Sequence, residues 1–218
     1  GCGTDNPREM LSNVLQEIFV NAKIDVQEDT MAAVRATLNH SDEAAVVCIM
    51  GTGSNCSYYD GKNLHQRVKS LGYSLMDDAS GNRYGKMLIR DYYFNKMPNT
   101  IKLAFEHKYN LDADFIKYNL YKQANPNAYL AKFAEFMFLN KDSEYIQKVI
   151  KRGFRIFTEN MIMQYVEELK TVPVHFAGSI AYFSQNEIKE VAEEFGFKVG
   201  NFVRRPIDGL VEYHIKNL

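Results

Sequence analysis

The stretch Gly51-Thr52-Gly53-Ser54-Asn55-Cys56 constrains the chain more than any other, because two glycines and two hydroxyl residues follow directly on the apolar run Ala44 to Met50. Glycine has no Cβ, so the backbone can come close to an anion. Successive N–H groups with the Thr52 and Ser54 hydroxyls would supply donors for phosphate oxygens. The following Ser57-Tyr58-Tyr59-Asp60-Gly61 has the composition of a strand closing in an Asp-Gly turn. The glycine turn is therefore expected to join two strands, and that context excludes two familiar nucleotide signatures. A dinucleotide fingerprint needs a third glycine where Cys56 stands, and a helix opening at the turn. A Walker loop needs a terminal Gly-Lys-Ser/Thr, which is absent. A plain hairpin is the commoner meaning of a lone Gly-x-Gly, so its neighbours must decide.

Length and composition set broad limits. With 218 residues, 46% of them hydrophobic, the chain can bury a substantial core of one large or two small domains. Twenty-six basic residues against twenty-seven acidic ones give no electrostatic footprint for nucleic acid or an anionic membrane surface. Cys2, Cys48 and Cys56 are odd in number and lack Cys-x-x-Cys spacing, which indicates neither a disulfide framework nor a zinc site and leaves the cytoplasm as the expected location. No apolar run reaches the roughly 20 residues of a membrane-spanning helix. Gly1-Cys2-Gly3-Thr4 runs straight into a helix start without an initiator methionine, so the chain is expected to be cut from something longer.

Along the chain, Asp5-Asn6-Pro7 signals a helix start, and Met10, Leu11, Val14, Leu15, Ile18 and Phe19 recur at amphipathic spacing. Lys23-Ile24-Asp25-Val26 is expected as a strand. Asp29, before a run of small residues, is either a helix cap or a catalytic carboxylate. Asp77 and Asp78 form a polar turn of adjacent acids, suited to a solvated turn, a helix start, a sugar hydroxyl or hydrated Mg²⁺. Helical pattern resumes beyond Arg83. From Pro98 to Leu169 the chain is expected as a block of helices, with Asn125-Pro126 opening one. Asp142-Ser143 opens the longest, whose apolar stripe runs from Ile146 to Leu169. Val172 to Ala177 is expected as a strand, Gly178-Ser179 as a turn able to offer a second anion contact, and Ser184 with Glu187 as a capping box. A strand over Lys198 to Val203 and a helix from Pro206 close the chain. His175 and His214 have no ligand partner at metal spacing.

The Gly51 to Asn55 loop, Leu71-Gly72-Tyr73 with its acidic turn, Gly178-Ser179-Ile180-Ala181 and Pro206-Ile207-Asp208-Gly209-Leu210 occur in the order found in one family. Together they resemble the BadF/BadG/BcrA/BcrD-type ATPases, in their N-acetylglucosamine kinase branch. The resemblance implies the α/β, actin-like (ribonuclease H-like) fold, with ATP and Mg²⁺ bound between two domains. It implies phosphorylation of an amino sugar, N-acetylglucosamine at its 6-hydroxyl, and a homodimer. Gly51, Thr52, Gly53, Ser54 and Asn55 match the family's second phosphate loop, and Gly178 and Ser179 its adenosine-side turn. Asp29 matches the aspartate that takes a proton from the sugar hydroxyl. Asp77 and Asp78 match the acids of a Gly-Asp-Glu-Gly-Ser turn at the sugar, although Met76 and Ala79 replace both glycines. The family's Asp-x-Gly-x-Thr phosphate hairpin has no counterpart here.

The expected organisation follows. Residues 1–43 form a remnant of an N-terminal α/β lobe, residues 44–205 a C-terminal lobe with a helical insertion at about 98–169, and residues 206–218 a closing helix packing back on the first lobe. Two other functions compete: a non-catalytic sugar- or nucleotide-binding domain, and an ATPase that activates a partner dehydratase. Such activators share an iron–sulfur cluster between subunits through cysteines, and the three cysteines here lack a comparable pattern.

Overall fold

Side chains of a strand point alternately to its two faces, and the strand β1, Ala45–Met50, uses both. Val46, Cys48 and Met50 enter the larger apolar core, whereas Ala45 and Val47 enter a smaller one on the opposite face. A strand buried on both sides must be central. The computed structural model describes residues 5–38, 40 and 42–216, with the backbone alone for Asp5 and Lys216. It places β1 in the middle of a five-stranded sheet of order β3-β2-β1-β4-β5.

The strand β2, Ser54–Tyr59, pairs antiparallel with β1, and β3, Leu64–His65, pairs antiparallel with β2. The strands β4, Val174–Ala177, and β5, Val199–Val203, run parallel to β1 on its other side. This is the mixed α/β sheet of the ribonuclease H-like arrangement. The Asp60-Gly61 turn forms as expected, with Asp60 Oδ1 accepting from the N–H groups of Lys62 and Asn63.

Helices cover both faces. On one lies α2, Asp29–Thr37, which sets Ala33 and Val34 on the smaller core, whereas α1, Asp5–Ile18, leaves its apolar side exposed and enters neither core. The last helix, α11, Pro206–Lys216, packs on α2, with Gly209 against Ala36. On the other face stand α3, Gly81–Tyr93, α4, Asn99–Lys108, α5, Ala113–Tyr121, α6, Pro126–Ala131, α7, Glu135–Leu139, and α8, Glu144–Asn160. Their core residues include Tyr84, Leu88, Phe105, Phe136, Ile146 and Phe154, and the Phe154 ring meets Phe176 of β4 edge to face at 5.8 Å. Of the aromatics in this block, Phe133 and Phe136 are packing residues as helical spacing predicts, whereas Tyr118 and Tyr121 stand exposed. Between β4 and β5 run the one-turn α9, Ser179–Phe183, and α10, Gln185–Phe195, which ends at Gly196 in the left-handed region.

Five local expectations change. Lys23 to Val26 forms no strand and joins no ladder of the sheet. The stripe from Ile146 to Leu169 is not one helix. It breaks after Asn160, and a 3₁₀ turn over Ile162–Tyr165 redirects the chain so that the Tyr165 hydroxyl reaches Arg67 N and the carbonyls of Cys56 and His65 beneath β2 and β3. Asn125 takes a left-handed backbone and does not cap α6 with its side chain. Ser184 and Glu187 form no capping box: the Ser184 hydroxyl finds no partner, and the buried Glu187 carboxylate turns to Lys141 at 3.6 Å. Asp29 is the first residue of α2, and Glu28 occupies the preceding cap position without a side-chain bond.

His175 lies buried in β4, and its Nδ1 accepts a hydrogen bond from Asn201 N at 3.0 Å. Burial holds its pKa below the ordinary 6.5, so the folded chain keeps the ring neutral. Below that pH the unfolded chain binds a proton the folded one resists. The stabilisation is therefore complete above 6.5 and is lost as pH falls through it. Urea unfolding between pH 7.5 and 5 should show this decline, and His175→Asn, which keeps an acceptor without an ionisable ring, should flatten it.

Candidate active site

Ligands of open α/β sheets bind beyond the carboxyl ends of the parallel strands, and the glycine turn lies there, directly after β1. Residues 51–53 link β1 to β2 with Met50 opposite Ser54, so the turn joins two strands as expected. It is docked on the start of α3. Gly51 O accepts from Gly81 N at 2.7 Å, and Thr52 O accepts from both Asn82 N at 3.1 Å and Asn82 Nδ2 at 2.7 Å. With these carbonyls turned inward, the Thr52 side chain stays exposed. A Cβ on Gly51 would meet nothing within 4 Å, so neither backbone angle nor packing explains that glycine, and the space in front of it is free for a ligand. Gly53 differs: a Cβ there would come within 2.9 Å of Asp77 Oδ2.

Two expected phosphate contacts are engaged within the protein. The Ser54 hydroxyl donates to Asp78 O at 2.6 Å and so ties β2 to the acidic turn. The Asn55 carboxamide oxygen accepts from Cys56 N and from Gln66 Nε2.

Asp77, with φ of 65°, and Ala79, with φ of 56°, both occupy the left-handed region that glycine enters freely. The alanine thus takes a backbone that a glycine would accept, and it is fully buried there. Ser80 then caps α3, accepting from Arg83 N at 3.3 Å. Within the turn, Asp77 Oδ2 accepts from Asn82 Nδ2 at 3.2 Å. Asp78 is held on both sides, with Oδ1 3.3 Å from Arg83 Nε and Oδ2 accepting from Asn160 Nδ2 at 3.1 Å.

Both acids border a cavity of about 370 Å³, shared with Ser70, Leu75, Met76, Asn160, Met161 and Gln164 among others. Asn160 and Gln164 escaped the sequence reading because they sit where one continuous core helix was expected. The break after α8 is what turns them to the acidic turn.

Gly178 follows the end of β4 beside the glycine turn. Its φ of 113° suits glycine alone, and a Cβ would press on the carbonyl of Met50, with the carbonyl carbon at 2.7 Å and Gly51 N at 3.2 Å. Ser179 is exposed next to it. Asp29 opens α2, whose Ala33 and Val34 pack on the face of the sheet opposite the core that holds Ala79, and near the helix's other end Asn201 of β5 donates to Thr37 O. Asp29 is exposed, and among the described residues its side chain makes no hydrogen bond or ion pair.

Cys48 and Cys56 face each other across β1 and β2 with Sγ atoms 3.5 Å apart, both buried and free, and burial raises the Cys48 thiol pKa. Cys2 lies outside the described residues. Among the described residues no group of three or more His, Cys, Asp and Glu could hold a metal ion, and no helix is long and apolar enough to cross a membrane.

No family model and no curated protein matches the chain. Solved structures do. A candidate N-acetylglucosamine kinase from Porphyromonas gingivalis aligns with 98% of this chain and 75% of its own length, at 29% identity and a TM-score of 0.89. A second, from Chromobacterium violaceum, aligns with 91% of this chain and 70% of its own at 14% identity and a TM-score of 0.66, a likeness of fold alone. The chain has the actin-like ATPase fold of sugar kinases.

Ala79→Gly tests the acidic turn. A left-handed alanine costs about 1–2 kcal/mol, and glycine's greater chain entropy offsets roughly half of that. The variant should be more stable by about 0.5–1 kcal/mol in urea unfolding. Gly178→Ala should be strongly destabilised in the same assay.

Proposed function

We propose that this chain belongs to the N-acetylglucosamine kinase branch of the BadF/BadG/BcrA/BcrD-type ATPases, and that the full-length protein phosphorylates an amino sugar, N-acetylglucosamine, at its 6-hydroxyl with ATP. The observation that carries this is the joining of an open glycine turn to a carboxylate-bearing turn beside a cavity, on an architecture that follows a candidate N-acetylglucosamine kinase over 98% of the chain.

Phosphoryl transfer asks chiefly for positioning and charge stabilisation. The Gly51–Gly53 turn would receive the ATP phosphates, with the Cβ-free space at Gly51 permitting close approach and the exposed Thr52 hydroxyl adding a donor. Gly178 and Ser179 would face the adenosine side. Asp77 and Asp78 would accept hydrogen bonds from sugar hydroxyls, held in place by Asn82, Arg83 and Asn160. Asp29 would take the proton as the 6-hydroxyl oxygen bonds to the γ-phosphorus and ADP leaves. Mg²⁺ that accompanies ATP is bound largely by phosphates and water. The described residues offer no cluster of three ligating side chains for it.

The left-handed Ala79 keeps a glycine-like backbone in the turn, which counts against a purely non-catalytic binding domain. The burial of Cys48 and Cys56 against each other argues against a cluster-bridging activator.

With the full-length protein, ADP release should depend on amino sugar. Sugar-independent release at an unchanged rate would overturn the assignment. Asp29→Asn should lower kcat by about 10²–10⁴-fold with little change in sugar affinity. Gly51→Ala should fold normally and raise the KM for ATP, because its methyl group would enter space that only a ligand fills.

A further inference from the structure

We infer that Asn82 is a positioning residue through which nucleotide and sugar binding reinforce one another, an inference that rests on the kinase assignment above. Asn82 is fully buried at the start of α3. Its single side-chain NH₂ group donates both to Thr52 O, 2.7 Å away in the glycine turn, and to Asp77 Oδ2, 3.2 Å away in the acidic turn. Two acceptors on one nitrogen fix the orientation of the amide, because turning it over would set its oxygen against both of them. The Oδ1 atom is left buried and meets no hydrogen-bond partner in the protein.

Such an arrangement exceeds what joining the two turns requires. The backbone already does that through Gly81 N to Gly51 O and Asn82 N to Thr52 O, and Ser80 caps the helix. An apolar side chain of similar size would fill the same space without burying an unmatched oxygen. What the amide adds is a link between a peptide of the phosphate turn and a carboxylate of the sugar turn. The peptide is planar and trans, so holding the Thr52 carbonyl toward Asn82 aims the Gly53 N–H the opposite way. The second proton of the same group holds Asp77 by a charge-assisted bond beside Gly53. Phosphates bound at the turn hold the Thr52 carbonyl against the amide, and the held amide presents Asp77 to the sugar. By linkage the sugar must tighten nucleotide binding by the same factor.

Calorimetry on the full-length protein tests this, with N-acetylglucosamine titrated in the absence and presence of a non-hydrolysable ATP analogue. The wild type should bind the sugar about tenfold more tightly with the analogue present, within the usual range of coupling between sites. In Asn82→Asp, the same size but without the donors, and in Asn82→Leu the coupling should fall to near onefold, whatever the affinity for each ligand alone. The sugar KM at saturating ATP should rise by about that lost factor with kcat little changed. Asn82→Ser serves where the others fail to fold, since it is small and polar yet too short to span both acceptors.

Wild-type coupling retained in any folded variant overturns the inference. So does a wild type that binds both ligands independently, and in that case the kinase assignment stands. A wild type that binds neither ligand overturns that assignment and the inference with it.

Discussion

Everything near the sheet's carboxyl end depends on one docking contact, in which the tip of the β1–β2 hairpin hands two carbonyl oxygens to the first residues of α3. A two-stranded hairpin is marginal by itself, and its tip is ordinarily the loosest part. Here the tip is bound by Gly81 N, Asn82 N and Asn82 Nδ2, while the Ser54 hydroxyl secures the acidic turn from the strand side. The helical block thereby becomes rigid with the sheet at the place where a ligand would press. Gly81 and Asn82 could not otherwise satisfy their N–H groups inside their own helix, since the first turn of any helix leaves its donors unpaired. The hairpin tip and the helix start thus complete one another's hydrogen bonding.

The acidic turn carries the strain that this docking sustains. Two non-glycine excursions into the left-handed region, at Asp77 and Ala79 on either side of Asp78, are each unfavourable for an L-residue. They persist because the chain between is held at both ends, by Ser54 Oγ on Asp78 O and by the Ser80 cap at the start of α3. The result is that two adjacent acids take different surroundings. Asp77 accepts from an amide beside the glycine turn, whereas Asp78 is paired with Arg83 and with Asn160 of α8. Adjacent carboxylates that merely shared a solvated turn would not be divided in this way.

The sequence disclosed the architecture where periodicity and turn chemistry act locally. The apolar run before Gly51, the strand-like composition after it and the Asp60-Gly61 turn all appear as their residues dictate. It was silent where tertiary contacts override local pattern. The stripe from Ile146 to Leu169 has helical period throughout, yet the chain bends at Met161 to bring Tyr165 under β2, and no window of sequence contains that partner. Ser184 and Glu187 have capping-box spacing, but Lys141, 46 positions earlier than Glu187 in the numbering, draws the carboxylate away. Of the site, Gly51, Gly53, Gly178 and the paired acids were legible as residue types suited to turns. Asn82, Asn160 and Gln164 were not, because asparagine and glutamine carry no pattern until a fold supplies their acceptors.

Topology gives an argument for the site that is independent of likeness to other proteins. β1 is flanked by an antiparallel neighbour and a parallel one, so the chain leaves its carboxyl end in a tight turn while β4 leaves beside it in the same direction. Two turns emerging together from parallel strands leave a crevice between them, the position where open α/β sheets bind ligands. Here the turns are Gly51–Gly53 and Gly178-Ser179, close enough that a methyl group on Gly178 would strike the Met50 carbonyl. The acidic turn reaches the same end of the sheet. The hairpin turn, the Gly178 turn and the acidic turn therefore meet at one end of the sheet, edged by the exposed Thr52 and Ser179 and by the open backbone of Gly51.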